Sequence, residues 1–247
     1  MCATRSEPKT ALVASLCLLL TVGCAALTPS GGRYGAADRI AAAASLRKSF
    51  LRTSSFTLTA YTRFTAPGDP LHLYIEGDGA AWLSRARLSD DPTPGTPLVL
   101  DLAARDPAKN LAYLARPGQY AEDGVSGIDA VYWSDKRFSA EVVRAVCEAV
   151  DILRERTGAR QVHLIGYSGG AAVAVLVAAE RDDVASLRTV AGNLDPEAVN
   201  RHHRVSPLTA SLNPMDAAGS LRGLPQRHFV GSRDAVIPRH AAEAFVK

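Results

Sequence analysis

Val162-His163-Leu164-Ile165-Gly166-Tyr167-Ser168-Gly169-Gly170 is the stretch on which the fold turns. Its apolar first half predicts a buried strand over residues 161–166, and the small apolar residues that follow predict a helix over 169–180. Gly166, Ser168 and Gly170 set the pattern G-x-S-x-G between the two. A serine hydroxyl is a poor nucleophile, so it has to stand on a sharp turn, open to a base and close to N–H donors. Glycines on both sides let strand and helix approach without a Cβ clash. The N-terminus of the helix favours the negative charge that develops during attack. The plainer alternative is an ordinary strand-to-helix turn with Ser168 as the N-cap.

Working outward, strands and helices alternate, which is the mark of a parallel sheet. Residues 139–156 read as the clearest helix, with Ser139 at the N-cap, a stripe of Val142, Val143, Val146, Val150 and Leu153, and a stop at Gly158. A short helix led by Pro97 is expected over 97–105 and a strand over 110–115, ended by Arg116-Pro117-Gly118. Downstream come a strand at 187–191, a polar excursion at 193–225 with four prolines, a strand at 227–230 and a helix from Arg239. Upstream, the Ala-rich run 36–51 reads as a helix. A strand at 56–64 is expected to pair through the turn Pro67-Gly68-Asp69-Pro70 with residues 71–76, as an antiparallel hairpin.

The strand–Gly166-Tyr167-Ser168-Gly169-Gly170–helix element resembles the nucleophile elbow of the α/β-hydrolase superfamily, and the resemblance extends over about 56–247. It implies an α/β-hydrolase fold: a mostly parallel sheet with an N-terminal antiparallel hairpin and helices on both faces. It implies Ser168 as the nucleophile. Glu76-Gly77-Asp78-Gly79 follows a strand where the superfamily places an oxyanion-hole N–H, so Asp78 or Gly79 would donate alongside Gly169. The His-Gly-Gly-Gly of lipases is absent there. Gly231-Ser232-Arg233-Asp234, ahead of Val236-Ile237-Pro238, resembles the acid loop and makes Asp234 the partner of the catalytic histidine. The family order puts that histidine after the acid, beyond a further helix and strand. Only His240 follows Asp234, six residues on, so the matching histidine is expected beyond Lys247, with His240 as the internal candidate. Arg116 to Tyr120 follow a strand on the active-site edge and are candidates for shaping the pocket; Trp133 and Phe138 are candidates for lining the acyl or leaving-group pocket, with apolar core the better reading.

The N-terminus carries Arg5 and Lys9 ahead of an apolar run, 11–22, too short for a bilayer span, which needs about 20 residues. It ends in Gly23-Cys24 and resembles a bacterial lipoprotein signal, with Thr21 where Leu is usual. The expected domains are a signal peptide at 1–23, a flexible tether at 24–35 and an α/β-hydrolase domain at 36–247, C-terminally incomplete. Cys24 would be the lipid attachment site and the protein an exported, membrane-anchored envelope lipoprotein. Cys2 and Cys17 fall in the removable segment, which leaves Cys147 alone, on a helical stripe of valines. No Cys/His spacing suits zinc, and no cofactor is implied. A net charge of +3, without a basic run, speaks against nucleic acid and against a polybasic membrane patch. The expected activity is hydrolysis of an ester-like acyl bond through an acyl-enzyme. An acyltransferase with the same nucleophile and a non-catalytic binding module are the alternatives.

Overall fold

The computed structural model describes residues 32–121 and 127–246. In chain order the elements are α1 (Gly32–Ala43), β1 (Arg47–Arg52), β2 (Thr57–Phe64), β3 (Leu71–Ile75), β4 (Trp82–Ser84), β5 (Arg87–Leu88), α2 (Leu98–Ala104) and β6 (Asn110–Leu114). After a 3-10 turn at Ala130–Trp133 come α3 (Ala140–Thr157), β7 (Val162–Tyr167), α4 (Gly169–Ala179), β8 (Val184–Val190), α5 (Pro196–His203), α6 (Pro214–Ala217), β9 (Gln226–Phe229) and α7 (Arg239–Phe245).

Seven strands form one sheet in the order β1-β2-β6-β3-β7-β8-β9, while β4 and β5 pair by themselves. From β6 through β3, β7 and β8 to β9 every pairing is parallel. The antiparallel hairpin is present but differs from the expected one. β1 pairs β2 from Arg47 opposite Thr62 to Arg52 opposite Thr57, and β2 then pairs β6 antiparallel. β3 lies between β6 and β7, so the turn at 67–70 joins strands that do not pair. Residues 47–52 are therefore strand, not the second half of a helix; the chain turns at Ser45, with φ 57°, and Leu51 packs into the core.

The helices cover both faces. On one face, Leu58, Leu73, Leu114 and Leu164 pack with α3 and α4 around Val146, Val150, Val173 and Leu176. On the other, Tyr61, Tyr74, Tyr113 and Ile165 meet α1 and α2. α3 is amphipathic because it has one wet side: Ser139 Oγ accepts from Val142 N–H at its start, and Gly158 closes it at φ 68°. Residues 169–178 of α4 are all buried, and only a helix apolar all round can sit so deep. Trp133 and Phe138 are core, with Trp133 Nε1 donating to Ser89 O. By contrast Trp82 on β4 is 46% exposed. Part of the excursion expected at 193–225 is helical, as α5 and α6.

Residues 1–23, expected as a signal peptide, Cys24, and the expected tether as far as 31 lie outside the described residues. Residues 32–35, given to the tether from sequence, belong to α1. Among the described residues no helix is long and apolar enough to cross a membrane.

Candidate active site

The strands of the parallel part end on one side, and there the chain makes its sharpest turn. Ser168 joins β7 to α4 with φ 50° and ψ −119°, a combination side-chain-bearing residues avoid. Three backbone bonds hold it: Ser168 N–H donates to Val190 O, and Ser168 O accepts from Ala171 N–H and Asn193 N–H. Ser168 holds the N-cap position of α4, but its hydroxyl accepts from no helical N–H. The flanking glycines are required by close approach. A Cβ on Gly166 would lie 2.5 Å from Ala171 Cα, and one on Gly170 2.3 Å from Glu76 O. Gly170 is thus where α4 crosses the end of β3 backbone to backbone.

The loop after β3 lies against the turn. A Cβ on Gly77 would stand 3.2 Å from Ser168 Cβ. Gly77 N–H is taken by Glu76 Oε1 and Ala80 N–H by Pro92 O, which leaves Asp78 and Gly79 with free N–H groups in this loop among the described residues. Gly169, at the first helical position, has no intrahelical acceptor for its N–H. Gly79 has φ 63° and abuts Pro92 O, so only glycine fits. The side chain of Asp78 reaches over Gly169, where a Cβ would come within 2.0 Å of Asp78 Oδ1.

Of the residues that carry this arrangement, Arg116 and Gln119 fall in the stretch 116–120 expected to shape the pocket, whereas Arg137 gave no signal of its role in the sequence. Gln119 Nε2 donates to Gly77 O, while its Oε1 accepts from Arg116 N–H, so the loop after β6 holds the loop after β3. Arg116 is buried, with its Nη1 3.5 Å from Asp78 Oδ1; Arg137 Nε is 3.4 Å from Asp78 Oδ2. Burial lowers Arg116 to about 10. Beneath lies Glu76, whose carboxylate accepts from Gly77 N–H and Tyr113 Oη. Burial, outweighing these bonds, pushes it up to about 7. The position of Glu76 at the end of an apolar strand was visible; its partners were not.

Asp234 stands in the loop after β9. Its Oδ1 accepts from Val236 N–H at 2.8 Å and Ile237 N–H at 2.9 Å, so it shapes its own turn. Burial raises the Tyr167 phenol, and the charges of Glu76 and Asp234 push it the same way. β9 runs parallel to β8 and β8 to β7, so the loop of Asp234 leaves the sheet on the same edge as Ser168. The histidines are elsewhere engaged. His72, His163 and His228, each on a strand, pair with Asp106, Ser186 and Thr189. His203 bonds Val236 O from α5, and His202 stacks edge-on with His203 and with His240 of α7. None of the six rings is hydrogen-bonded to Ser168 or Asp234 in the described residues. No group of three or more His, Cys, Asp and Glu side chains gathers for a metal among them. Cys147 lies half-buried on α3, and burial raises its thiol, as suits a packing residue.

No family model matches the chain, and no curated protein does. Solved structures do. An esterase of Pyrococcus furiosus aligns over 83% of this chain and 78% of its own, at 12% identity and a TM-score of 0.59. A Klebsiella pneumoniae protein described as a dienelactone hydrolase aligns over 81% and 78%, at 17% identity and 0.56. A Coxiella burnetii homologue of alpha-beta serine hydrolases aligns over 81% and 80%, at 15% identity and 0.52. With the sheet order and the strand–Ser168–helix turn, these likenesses give the chain the α/β-hydrolase fold.

Proposed function

We propose that this protein is a serine hydrolase that cleaves an ester-like acyl bond with Ser168 as nucleophile. The observation that carries the reading is the backbone of Ser168, held at φ 50° between β7 and α4 with its hydroxyl uncommitted. A strained, non-glycine residue persists where the surroundings over-determine it, and such strain concentrates at working sites. Ser168 Oγ attacks the acyl carbonyl, and its proton passes to a histidine whose imidazolium Asp234 steadies. The carbonyl oxygen, now negative, faces Gly169 N–H and the N–H groups of Asp78 and Gly79. Collapse expels the alcohol, which takes up the proton from the imidazolium; the same histidine then draws a proton from water as it attacks the acyl carbon, and returns it to Ser168 Oγ as the acid leaves. Transfer to another acceptor would use the same residues. The fold neighbours with esterase and hydrolase names support this reading.

One observation favours a second reading, a binding module built on the same fold: among the described residues no histidine ring is bonded to Ser168 or Asp234. A fluorophosphonate probe separates the two. Labelling of the wild type and not of Ser168→Ala supports the hydrolase; a wild type that stays unlabelled supports the binding module. We also propose that Cys24 is lipidated and anchors the protein in the cell envelope, from the Gly23-Cys24 ending of the apolar segment. A fatty-acid analogue should label the wild type and not Cys24→Ala; equal labelling of both rejects the anchor.

A further inference from the structure

Beside Ser168 sits a charge cluster that the proposed chemistry does not use. Arg116 and Arg137 both lie against the ring of Phe138, with their guanidinium carbons 5.6 and 5.4 Å from its centroid. Both are turned to the one carboxylate of Asp78. Arg116 is 4% exposed, Arg137 14% and Asp78 26%. One Nη2 proton of Arg116 goes to Arg137 O. Arg116 Nε and Nη1, Arg137 Nε and Asp78 Oδ1 are buried without a hydrogen-bond partner. Leaving charged N–H groups so costs more than leaving neutral ones.

The other nearby carboxylates act on these arginines through their charge, Glu76 on Arg116 and Asp135 on Arg137, but hydrogen-bond neither. Glu76 is committed to Gly77 N–H and Tyr113 Oη. Asp135 is committed to Thr209 and to Ala210 N–H. Asp78 sits at ion-pair range of both guanidinium groups without settling into a fork on either. It is also the most exposed member of the cluster, and it hangs over Gly169, next to the nucleophile.

We propose that the Arg116–Arg137 pair is the binding site for a carboxylate on the substrate, and that Asp78 holds its place until the substrate's carboxylate displaces it. The inference rests on the hydrolase reading and names its substrate class: esters that carry a free carboxylate within a few bonds of the scissile acyl group. A guanidinium pair fits that group because each presents parallel N–H donors to two oxygens. The placeholder has a consequence of definite sign. Removing the charge of Asp78 removes a competitor, so carboxylate binding should tighten, whereas a merely structural ion cluster would loosen.

The test uses Ser168→Ala protein, which holds its ligands without turning them over, and two pairs of probes. 4-Acetoxybenzoate against 4-acetoxybenzamide places the charge on the alcohol side; monophenyl adipate against its terminal amide places it on the acyl side. By calorimetric titration, the acid of at least one pair should bind about tenfold or more tighter than its amide, as a charge-assisted fork implies. Adding Asp78→Asn should widen that ratio, and adding Arg137→Gln should bring it close to one. Circular dichroism checks that each variant is folded; should Arg137→Gln not fold, the Asp78→Asn arm decides by itself. No preference in either pair, a preference that survives in folded Arg137→Gln, or one that shrinks in Asp78→Asn overturns the proposal. Turnover of phenyl acetate by protein retaining Ser168 runs in parallel. Acid preference without turnover would strike the hydrolase reading and leave the carboxylate site standing.

Discussion

The turn at Ser168 and the loop at Asp234 are built on opposite principles, although both leave the same edge of the sheet. At the elbow, backbone touches backbone. Gly166 and Gly170 have no room for a methyl group, and α4 is buried from Gly169 to Ala178. At the acid loop, Asp234 bonds to N–H groups two and three residues on, and Gly231, Ser232, Arg233, Ala235 and Val236 are exposed. The first fixes geometry through the core of the molecule and the second through a local turn. Precision at Ser168 therefore depends on the whole sheet, and precision at Asp234 on six or so residues.

That contrast can be broken most directly with two alanines. Gly170→Ala drives a Cβ to 2.3 Å from Glu76 O, and neither backbone can yield; the expected loss is about 3 kcal/mol or more, or failure to fold. Gly231→Ala meets only Asp234 Cβ, at 3.3 Å, in an exposed loop, and should cost under about 1 kcal/mol. Urea unfolding of both measures the difference; similar losses would erase the distinction.

The next effect concerns Glu76, the buried carboxyl under the elbow, and depends on pH. Its ordinary value of 4.5 is raised to about 7 in the folded state. Below pH 4.5 it is protonated whether the chain is folded or not, and it imposes no penalty. Between 4.5 and 7 the unfolded chain releases the proton while the folded chain keeps it, so stability falls as pH rises through this window, by on the order of 3 kcal/mol in all. Glu76→Gln should flatten that slope in unfolding titrations across pH 4–8. An unchanged slope would mean that Glu76 is ionised throughout.

Smaller shifts in stability are expected at the two proposed catalytic groups, with large ones in turnover. Ser168→Ala should abolish ester hydrolysis and leave the melting temperature within a few degrees, because the side chain fills no core space. Asp234→Asn keeps an acceptor oxygen for Val236 and Ile237, so stability should move by about 0.5 kcal/mol or less. If it is the triad acid, turnover should fall about ten-thousandfold. Asp234→Ala should add a loss of about 1 kcal/mol for the bonds removed. Equal turnover in Asp234→Asn and wild type would take Asp234 out of the mechanism.

Much of the fold was legible because it is written in local patterns. The Ser139 cap, the valine stripe and Gly158 bracket α3, and G-x-S-x-G sits between its expected strand and helix. What failed was non-local. Residues 47–52 continue an Ala-rich run and lack a clean alternation, yet they become β1 because β2 offers an edge. Residues 56–64 and 71–76 look like a hairpin with a strong turn between them, but β6, almost fifty residues later, inserts between β2 and β3. The site divides in the same way. Ser168 and the free N–H groups of Asp78 and Gly79 follow from motif and loop. Arg116 and Gln119 were legible as pocket-edge residues, but their partners in that loop, and Arg137 altogether, come together only after the sheet has assembled.

The two tryptophans make the molecule report on itself in light. Trp133 is buried, with its indole N–H bonded to Ser89 O and its ring against Gly118, where a Cβ would come within 2.7 Å. Trp82 is 46% exposed on β4, four residues past Asp78. Water relaxes the excited state of an exposed indole and shifts its emission to longer wavelength, and it admits acrylamide that a buried ring excludes. One chain thus carries a blue, shielded signal that is lost on unfolding and a red, quenchable one beside the loop that faces Ser168. Events at that loop and events in the core can be followed separately, in a single cuvette and without a label.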